Sequence, residues 1–403
     1  MFFNVGIDVS KYKHTIAIID DEGEVRKKSF DISNTREGFN SLLNELGLLG
    51  PKEQIKIGME ATGHYMTCLS KFLVANGYKV QIYNPFIVER FRESETNKGS
   101  KTDKKDAYLI ARFVMTHQFS ASPQISYYIE QLRKMSRVKY FFYADKIRAY
   151  NHLQRYLDEI FPELLPFLDR KRDGTIGSHG RNILDSKTTR WLLSNYPSAT
   201  KIANMRKETA EKLKRMSRGK ISYIRFEELK DLAKNSIGIS TAEDEQIVKS
   251  LIIQIGAIDR EIEEFEMKID QIMNQIQSPI TSIPGIGNQL GAMILGEIED
   301  IKRFDNPEKL IRYAGLDVRI YQSGTINQRG KIVKRGSPIL RYALALTIQK
   351  LRIHSPVFSE YYYSKIREGK HTQVAIIATT RKLIRVIWKM LYDNVVFENL
   401  ARN

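Results

Sequence analysis

Residues 2–10, FFNVGIDVS, begin the pattern that decides the fold of this chain. This apolar run is a predicted strand that ends at Asp8, and a second predicted strand, TIAIID, follows at residues 15–20. The acidic turn DDEG at residues 20–23 connects the second strand to a third, at residues 24–32. The N-terminus is therefore predicted to fold as three antiparallel strands.

The next part of the chain alternates helical and strand patterns. In order, these are a helix at 36–46, a strand at 55–60 (IKIGME), a helix at 63–75, a strand at 79–83, a charged polar loop through 93–100 and a helix at 103–116. Three antiparallel strands followed by crossover units resemble the ribonuclease H-like fold. In that fold the first strand is central and lies beside the fourth.

Four carboxylates fall where this fold would bring them together. Asp8 and Glu60 end the first and fourth strands, so they would be neighbours. Asp103 and Asp106 lie three residues apart in KTDKKDA, residues 101–107, which places both on one face of a helix. Each acid alone is more often an ordinary strand-end or helix-start residue. Four at these positions predict a metal-binding cluster.

The chemistry of such a cluster favours magnesium. Carboxylates packed together repel one another unless a cation neutralises them. Mg²⁺ prefers oxygen ligands and keeps water positions open for a substrate. Two ions roughly 4 Å apart stabilise both the attacking and the leaving oxygen of a phosphodiester. We therefore expect Asp8, Glu60, Asp103 and Asp106 to hold Mg²⁺, with two ions as the expected number.

Composition indicates a globular protein with an anionic partner. The chain has 403 residues, enough for two or three domains, with 42% hydrophobic and 28% charged residues. Its net charge is +17, and residues 301–403 hold 20 Lys and Arg against 7 Asp and Glu. This net +13 predicts that the C-terminal quarter contacts nucleic acid.

Several other classes of protein are disfavoured. The sequence has no apolar run of about 18 residues and no amphipathic N-terminal anchor, which argues against a membrane partner. Cys68 is the only cysteine, so no disulfide framework can form, and the seven histidines lack the spacing of zinc ligands. No signal peptide precedes the first strand, so a cytoplasmic location is expected.

The middle of the chain is predicted to be helical. Residues 127–160 form a long, aromatic-rich helix, and residues 248–276 have apolar positions at alternating steps of three and four over about four heptads. The partner of this second helix could be the first helix folding back or another subunit, and we expect both, a helical hairpin that also helps the protein dimerise. Residues 188–234 are basic and predicted to be helical in pieces. Within them, residues 205–220 are equally compatible with a solvated face and a nucleic-acid contact.

The C-terminal module begins with IPGIG at residues 283–287, before an apolar helix at 289–297. This pattern is typical of a helix-hairpin-helix motif, in which Gly285 and Gly287 let backbone N–H groups approach a phosphate. The alternative is a tight turn in which glycine serves conformation only.

Two serines of this module differ in their surroundings. Ser337 precedes Pro338 and a predicted helix at 339–351, so it is expected to be a helix N-cap. Ser323 has no such structural role, because it lies between Gln322 and Gly324 in a predicted basic loop. A loop serine by itself indicates no chemistry.

Seven motifs, taken together and in order, resemble one family, the DEDD-type insertion-sequence transposases, also described as bridge-RNA-guided serine recombinases. The N-terminal motifs are VGIDVSK (5–11), MEATG (59–63) and KTDKKDA (101–107). The C-terminal motifs are IPGIG (283–287), YAGL (313–316), QSGT (322–325) and KRGSP (334–338).

The resemblance implies an architecture of mixed α/β and α type. It comprises a RuvC-like, ribonuclease H-like domain at 1–122, a helical coiled-coil connector at 123–278 and a mostly α-helical transposase domain at 279–403. Residues 169–241 look like an insertion, longer than expected for the family. From their basic surroundings and the turn glycines, rather than from the resemblance, the expected nucleic-acid contacts are Lys101, Lys104, Lys105, Gly285, Gly287, Arg329, Lys331, Lys334 and Arg335.

The resemblance also implies a reaction. The four acids would bind Mg²⁺, and Ser323, by its motif position, would attack a DNA phosphate and form a covalent 5′-phosphoserine. Similar enzymes act on donor and target DNA as dimers that pair into tetramers, guided by a structured non-coding RNA.

Two other functions remain open at the level of sequence. A RuvC-like nuclease would use the same acids to hydrolyse DNA with water, leaving Ser323 structural. A non-catalytic nucleic-acid-binding scaffold would use the coiled coil and the basic surface alone.

Overall fold

The computed structural model describes residues 1–61, 65–83, 85–95, 102–119, 121, 127–170, 183–323 and 326–398, with Phe86 and residues 318–331 described by their backbone only. The chain divides into two compact units, Met1–Gln124 and Ile125–Asn403. None of the helices described is long and apolar enough to cross a membrane.

The N-terminal unit is built on a five-stranded sheet. Its elements are β1 (Phe3–Val9), β2 (Lys13–Asp20), β3 (Val25–Ser33), α1 (Arg36–Gly47), β4 (Ile55–Glu60), α2 (Met66–Ala75), β5 (Lys79–Tyr83), α3 (Pro85–Glu95) and α4 (Asp103–Thr116), with a 3₁₀ turn at Lys52–Gln54. The strand order is β3-β2-β1-β4-β5. β1 is antiparallel to β2 and parallel to β4. The prediction that the first strand is central and lies beside the fourth is confirmed.

The two faces of β1 are covered by different layers. Val5 and Ile7 belong to a core of aliphatic residues that also includes Leu42 of α1 and Leu69 of α2. The opposite face of β1 carries Gly6 and is covered by α4. A Cβ at Gly6 would lie 2.1 Å from the carbonyl oxygen of Ala107 and 2.2 Å from the amide nitrogen of Ala111. Glycine is therefore what lets α4 rest directly on the central strand.

One element of this unit was not predicted. Residues 85–95 form the helix α3, whereas the sequence indicated a polar loop after the fifth strand. Pro85 occupies a helix start, where its missing N–H costs nothing. Val88 is fully buried, and the ring of Phe91 packs edge-on against Phe113 of α4 at 5.1 Å between centroids. Tertiary packing of two apolar residues thus stabilises a helix whose sequence is mostly charged.

The second unit is almost entirely helical. Its helices are α5 (Tyr127–Ile160), α6 (Leu164–Asp169), α7 (Lys187–Asn195), α8 (Ala199–Ala203), α9 (Glu208–Met216), α10 (Tyr223–Lys234), α11 (Ala242–Ile276), α12 (Asn288–Ile298), α13 (Pro307–Tyr313), α14 (Pro338–His354), α15 (Pro356–Arg367) and α16 (Thr372–Asp393). Its strands are β6 (Val318–Ser323) and β7 (Ile326–Ile332), and 3₁₀ turns lie at Pro279–Ser282 and Ile301–Arg303.

The heptad pattern of α11 packs against α5 of the same chain. The buried residues Val248, Ile255, Ile262 and Ile269 recur every seven positions along α11. Thr241 and Asp244 form a capping box that starts the helix. The prediction that the Tyr127 helix folds back onto this seam is confirmed.

The C-terminal module contains an antiparallel hairpin, β6–β7, where a basic loop was predicted. Backbone hydrogen bonds close the base of the hairpin and join the two helices that flank it. Val333 N donates to Asp317 O at 2.8 Å, and Ser337 N donates to Tyr313 O at 2.8 Å. Gly336, at φ 143°, makes this contact possible, because a Cβ there would lie 2.2 Å from Tyr313 O. The hairpin therefore extends from a well-defined base.

Candidate active site

The strands place two of the four predicted acids side by side. The parallel pairing of β1 with β4 joins Gly6 to Gly58 and Ile7 to Met59, so Asp8 and Glu60 are next in register. Asp8 also lies opposite Thr15 of β2, and Glu60 lies opposite Tyr83 of β5. Both acids are half-buried at the carboxyl ends of the central strands.

The same two acids share a face of the sheet with α4. Side chains alternate along a strand, so Asp8 is on the face of Gly6, and Glu60 is on the face of Gly58. Cβ atoms built at Gly6 and Gly58 would meet α4 residues, namely Ala107 and Val114 respectively. The helix that carries the other two acids therefore covers the face to which Asp8 and Glu60 belong.

Asp103 and Asp106 lie in the first turn of α4, after the N-cap Thr102. Negative side chains are favoured at a helix N-terminus, which explains part of their placement. Asp103 is exposed, whereas Asp106 is only 8% exposed. A buried carboxylate needs a cation or hydrogen-bond donors.

Lys13 connects Asp103 to a fifth carboxylate, Asp31. Its Nζ lies 2.9 Å from Asp31 Oδ2 and 3.4 Å from Asp103 Oδ2. The hydrogen bonds that Lys13 donates to Asp31 and Asp103 raise the pKa of Lys13. The Thr15 hydroxyl donates to Asp31 Oδ1 at 2.7 Å, and this bond, followed by that of Lys13, lowers the pKa of Asp31. Asp8, Thr15 and Asp31 thus follow one another across three adjacent strands.

Arg92 of α3 pairs with Asp106. Its Nη2 lies 3.2 Å from Asp106 Oδ1, and both side chains are largely buried, at 16% and 11% exposure. Sequence reasoning missed Lys13, Asp31 and Arg92. None of the sequence motifs includes the lysine or the arginine, and the helix α3 was not predicted. Only the packing of α3 against α4 brings Arg92 to the acids.

Metal binding can be judged from the donor set. Four carboxylates supply the oxygen ligands that Mg²⁺ prefers. Two of these acids already hold cations, Lys13 on Asp103 and Arg92 on Asp106. Across the residues that the structure describes, no group of three or more His, Cys, Asp or Glu side chains is arranged to ligate a metal ion. The donor chemistry fits a divalent cation, and in this arrangement protein cations neutralise two of the donors.

Ser337 has the structural role predicted for it. Its hydroxyl accepts a hydrogen bond from Leu340 N at 3.1 Å, as the N-cap of α14, and donates to Glu297 Oε2 at 2.6 Å. Glu297 is 1% exposed and also accepts two hydrogen bonds from Arg137, from Nε at 2.6 Å and from Nη2 at 3.1 Å. Burial alone would raise the pKa of Glu297, but the bonds from Arg137 and Ser337 outweigh it and lower the pKa.

Ser323 has a different position, at the end of β6. Its backbone pairs with Ile326 as the last pair before the hairpin turn. The hairpin holds Ser323 at its tip, away from the base formed by Val318 and Ile332. The side chain of Ser323, like those of Arg329 and Lys331, lies outside the described part of the structure.

Comparison with known proteins matches both ends of the chain. A family model described as a transposase, of the DEDD type of the IS110 group, matches residues 5–162. A second model, described as the transposase IS116/IS110/IS902 family, matches residues 277–363. The chain belongs to the IS110/IS116 family of insertion-sequence transposases.

Curated relatives resemble this transposase along most of its length. The uncharacterized 44.8 kDa protein of insertion element IS116 from Streptomyces clavuligerus is 24% identical, covering 98% of this chain and 95% of its own. The mini-circle putative transposase for IS117 from Streptomyces coelicolor is 25% identical, covering 77% and 75%. The pilin gene-inverting protein of Moraxella bovis is 22% identical, covering 84% and 81%.

The predicted nucleic-acid contacts of the transposase have varied surroundings. Lys104, Lys105, Lys334 and Arg335 are exposed, as a phosphate contact requires. Gly285 has φ 84°, and a Cβ there would lie 2.8 Å from Lys350 Cβ, so the turn needs glycine for conformation and close approach. Around Gly287 the space is open. Lys101 lies outside the described residues.

Proposed function

We propose that this transposase breaks and rejoins DNA through a covalent bond between Ser323 and a DNA phosphate, at a Mg²⁺ site formed by Asp8, Glu60, Asp103 and Asp106. The observation that carries the proposal is the shared face of the sheet. Two acids end neighbouring central strands, and the helix that covers this face begins with the other two.

The reaction conserves the number of phosphoester bonds. The Ser323 hydroxyl oxygen attacks phosphorus, the bond to the 3′ oxygen breaks, and a 5′-phosphoserine and a free 3′ hydroxyl result. A 3′ hydroxyl then attacks the phosphoserine, restores the DNA backbone and releases the serine. Strands can therefore be exchanged without an external source of energy.

Activation of the serine is the chemical requirement, because a hydroxyl is a poor nucleophile at its ordinary pKa. Mg²⁺, when bound, polarises the phosphate and stabilises the charge on the leaving oxygen. The part of the acids is to hold the cation. Lys13 and Arg92 compensate Asp103 and Asp106 in its place, so a bound cation would compete with these two ion pairs.

The hydrogen bonds of Ser337 favour Ser323 as the nucleophile. The Ser337 hydroxyl caps α14 and binds the buried Glu297, so its use as a nucleophile would disrupt two interactions. Ser323 ends β6 at the hairpin tip, and β7 follows it with Arg329 and Lys331. The acids belong to the unit Met1–Gln124 and Ser323 to the unit Ile125–Asn403, so the reaction requires the two units, from one subunit or two, to meet.

We further propose that a structured RNA guides the choice of donor and target DNA, and that the enzyme acts as dimers that pair into tetramers. The net charge of +13 over residues 301–403 supports a nucleic-acid partner. RNA transcribed from DNA flanking the gene should bind the protein with a strong salt dependence. Sedimentation with and without that RNA measures the assembly state.

The covalent intermediate gives the decisive experiment. Protein, Mg²⁺, the flank-derived RNA and end-labelled donor DNA are incubated and resolved on a denaturing gel. A protein–DNA adduct should form, should be absent in Ser323→Ala and should persist in Ser337→Ala, the matched control. Cleaved DNA without an adduct in the wild type would instead indicate a nuclease that uses water. Binding without any cleavage, unchanged in Asp103→Asn, would indicate a scaffold.

A further inference from the structure

Residues 183–241, which precede α11, form a folded helical subdomain that the proposed function does not use. Neither family model matches residues 163–276. The core of this subdomain joins Leu192, Leu213 and Phe226 to Val248 and Ile255 of α11. The segment is therefore a packed addition to the coiled coil rather than a linker.

Positive charge is concentrated on one part of this subdomain. Residues 201–220 contain eight Lys and Arg against two acids, and all eight basic side chains are exposed. The helix α9 buries Ala210 and Leu213 and exposes the positions between them. We call the exposed charged side the basic ridge and define it by the residues Lys207, Lys214, Arg215, Arg218 and Lys220.

The described part of the protein neutralises the basic ridge only in part. None of the eight basic residues forms an ion pair with another residue that the structure describes, whereas exposed cations elsewhere, such as Lys309 and Arg385, are paired. Of the two acids, Glu211 accepts a hydrogen bond from the Tyr223 hydroxyl at 2.6 Å. That bond, and after it the nearby charges of Lys214 and Arg215, lower the pKa of Glu211. With two acids among eight basic residues, the ridge keeps a net positive charge that faces solvent.

The ridge also has a defined shape at its C-terminal end. Arg218 and Gly219 both adopt positive φ, 53° and 79°, in the turn that joins α9 to α10. The Ser217 hydroxyl accepts a hydrogen bond from Ile221 N at 2.9 Å and closes this turn. Arg218 and Lys220 are thus held at the end of a helix by local structure rather than by a flexible loop.

We infer that the basic ridge binds the sugar–phosphate backbone of a nucleic acid, beyond the contacts of the catalytic and C-terminal modules. Charge complementarity identifies the partner, because several unpaired cations on one rigid surface match a row of phosphates. The contact is independent of sequence, since lysines and arginines at phosphates position a nucleic acid without reading its bases. DNA and RNA share this chemistry, and the experiment distinguishes them.

The test compares two triple variants of the full chain with equal changes of charge. The ridge variant is Lys207→Glu, Arg215→Glu and Lys220→Glu. The control variant is Lys249→Glu, Arg260→Glu and Lys268→Glu, which replaces the basic residues of the otherwise acidic α11. Fluorescence anisotropy measures binding to a DNA duplex and, separately, to an RNA hairpin over a range of salt concentrations.

Binding should weaken at least about tenfold in the ridge variant, and the slope of log affinity against log salt should fall by about 2.7 for duplex DNA if three phosphate contacts are lost. The control should keep the wild-type slope. An effect confined to one probe identifies the nucleic acid that is bound.

Equal losses in both variants would overturn the inference in favour of a general charge effect, and an unchanged slope on both probes would overturn it outright. Circular dichroism confirms folding. If the Glu substitutions prevent folding, the same three residues are replaced by Gln. The slope of log affinity against log salt should then change in the same direction but by a smaller amount.

Discussion

Replacing Gly6 with alanine should disturb the acid site through the packing of α4. The new Cβ would lie 2.1 Å from Ala107 O, 2.2 Å from Ala111 N and 2.9 Å from Ala111 Cα. All three atoms belong to backbone, so no side chain can rotate to relieve the contact. Since Cβ atoms do not approach within 3.0 Å, the helix must move by about 0.9 Å or more.

An extra methyl group in a packed core lowers the free energy of unfolding by about 1–3 kcal/mol. Gly6→Ala should fall at the upper end of this range, because the atoms that the new Cβ meets belong to the backbone of α4. Each kcal/mol lowers the melting temperature by roughly 4 °C in a domain of this size. The shift also displaces Asp103 and Asp106 relative to Asp8, so adduct formation should fall more than tenfold even below the melting transition.

Gly47→Ala is the matched control in the same unit. It lies at the end of α1, where a Cβ would meet nothing within 4 Å, so alanine should be neutral or stabilising by up to about 1 kcal/mol. Calorimetry of the full chain and the covalent-adduct assay measure the two effects. Wild-type melting and adduct yield in Gly6→Ala would refute the claim that α4 positions the acids by direct contact with β1.

Three further predictions concern the cations and the buried carboxylate. Lys13→Ala should lower the Mg²⁺ concentration for half-maximal adduct formation, because a competing cation leaves Asp103; a raised requirement would show that Lys13 supports metal binding. Arg92→Gln should also lower the Mg²⁺ concentration for half-maximal adduct formation, because it frees Asp106 from its ion pair. Combined with Ser323→Ala, it should give no adduct. Glu297→Gln should destabilise the protein by about 1–3 kcal/mol at pH 7, since it weakens a buried charged hydrogen bond. The folded-state pKa of Glu297 is lowered, so its contribution is complete above its ordinary value of 4.5 and is lost as pH falls below that value. Urea unfolding should therefore give a difference between wild type and Glu297→Gln that shrinks on acidification, and a constant difference would contradict the assignment.

The strand pattern and the positions of Asp8 and Glu60 were predictable from sequence. Apolar runs of period two and their turns indicate strands, and the order of strands and helices restricts the topology to few arrangements. The heptads of α11 likewise predicted a packed seam, because periodic burial is a local property of the chain. Both predictions depend on residues close in sequence.

The hairpin β6–β7 and the helix α3 were not predictable in this way. The segment of β6 and β7 is polar and basic, with little of the alternation that indicates a strand. The helix α3 depends on Val88 and Phe91 finding partners in another element. In both cases tertiary context overrides a weak local preference.

By itself, the sequence of this transposase determined which residue types are available for chemistry and roughly where they stand along the strands and helices. It could indicate four acids and two serines with different surroundings. Only the tertiary structure decided that Gly6 lets α4 lie on β1, that Lys13 and Arg92 reach Asp103 and Asp106, and that Glu297 engages Ser337. The physical reason is that these contacts join single residues distant in sequence, and such isolated pairs, unlike a heptad seam, leave no periodic pattern in the chain.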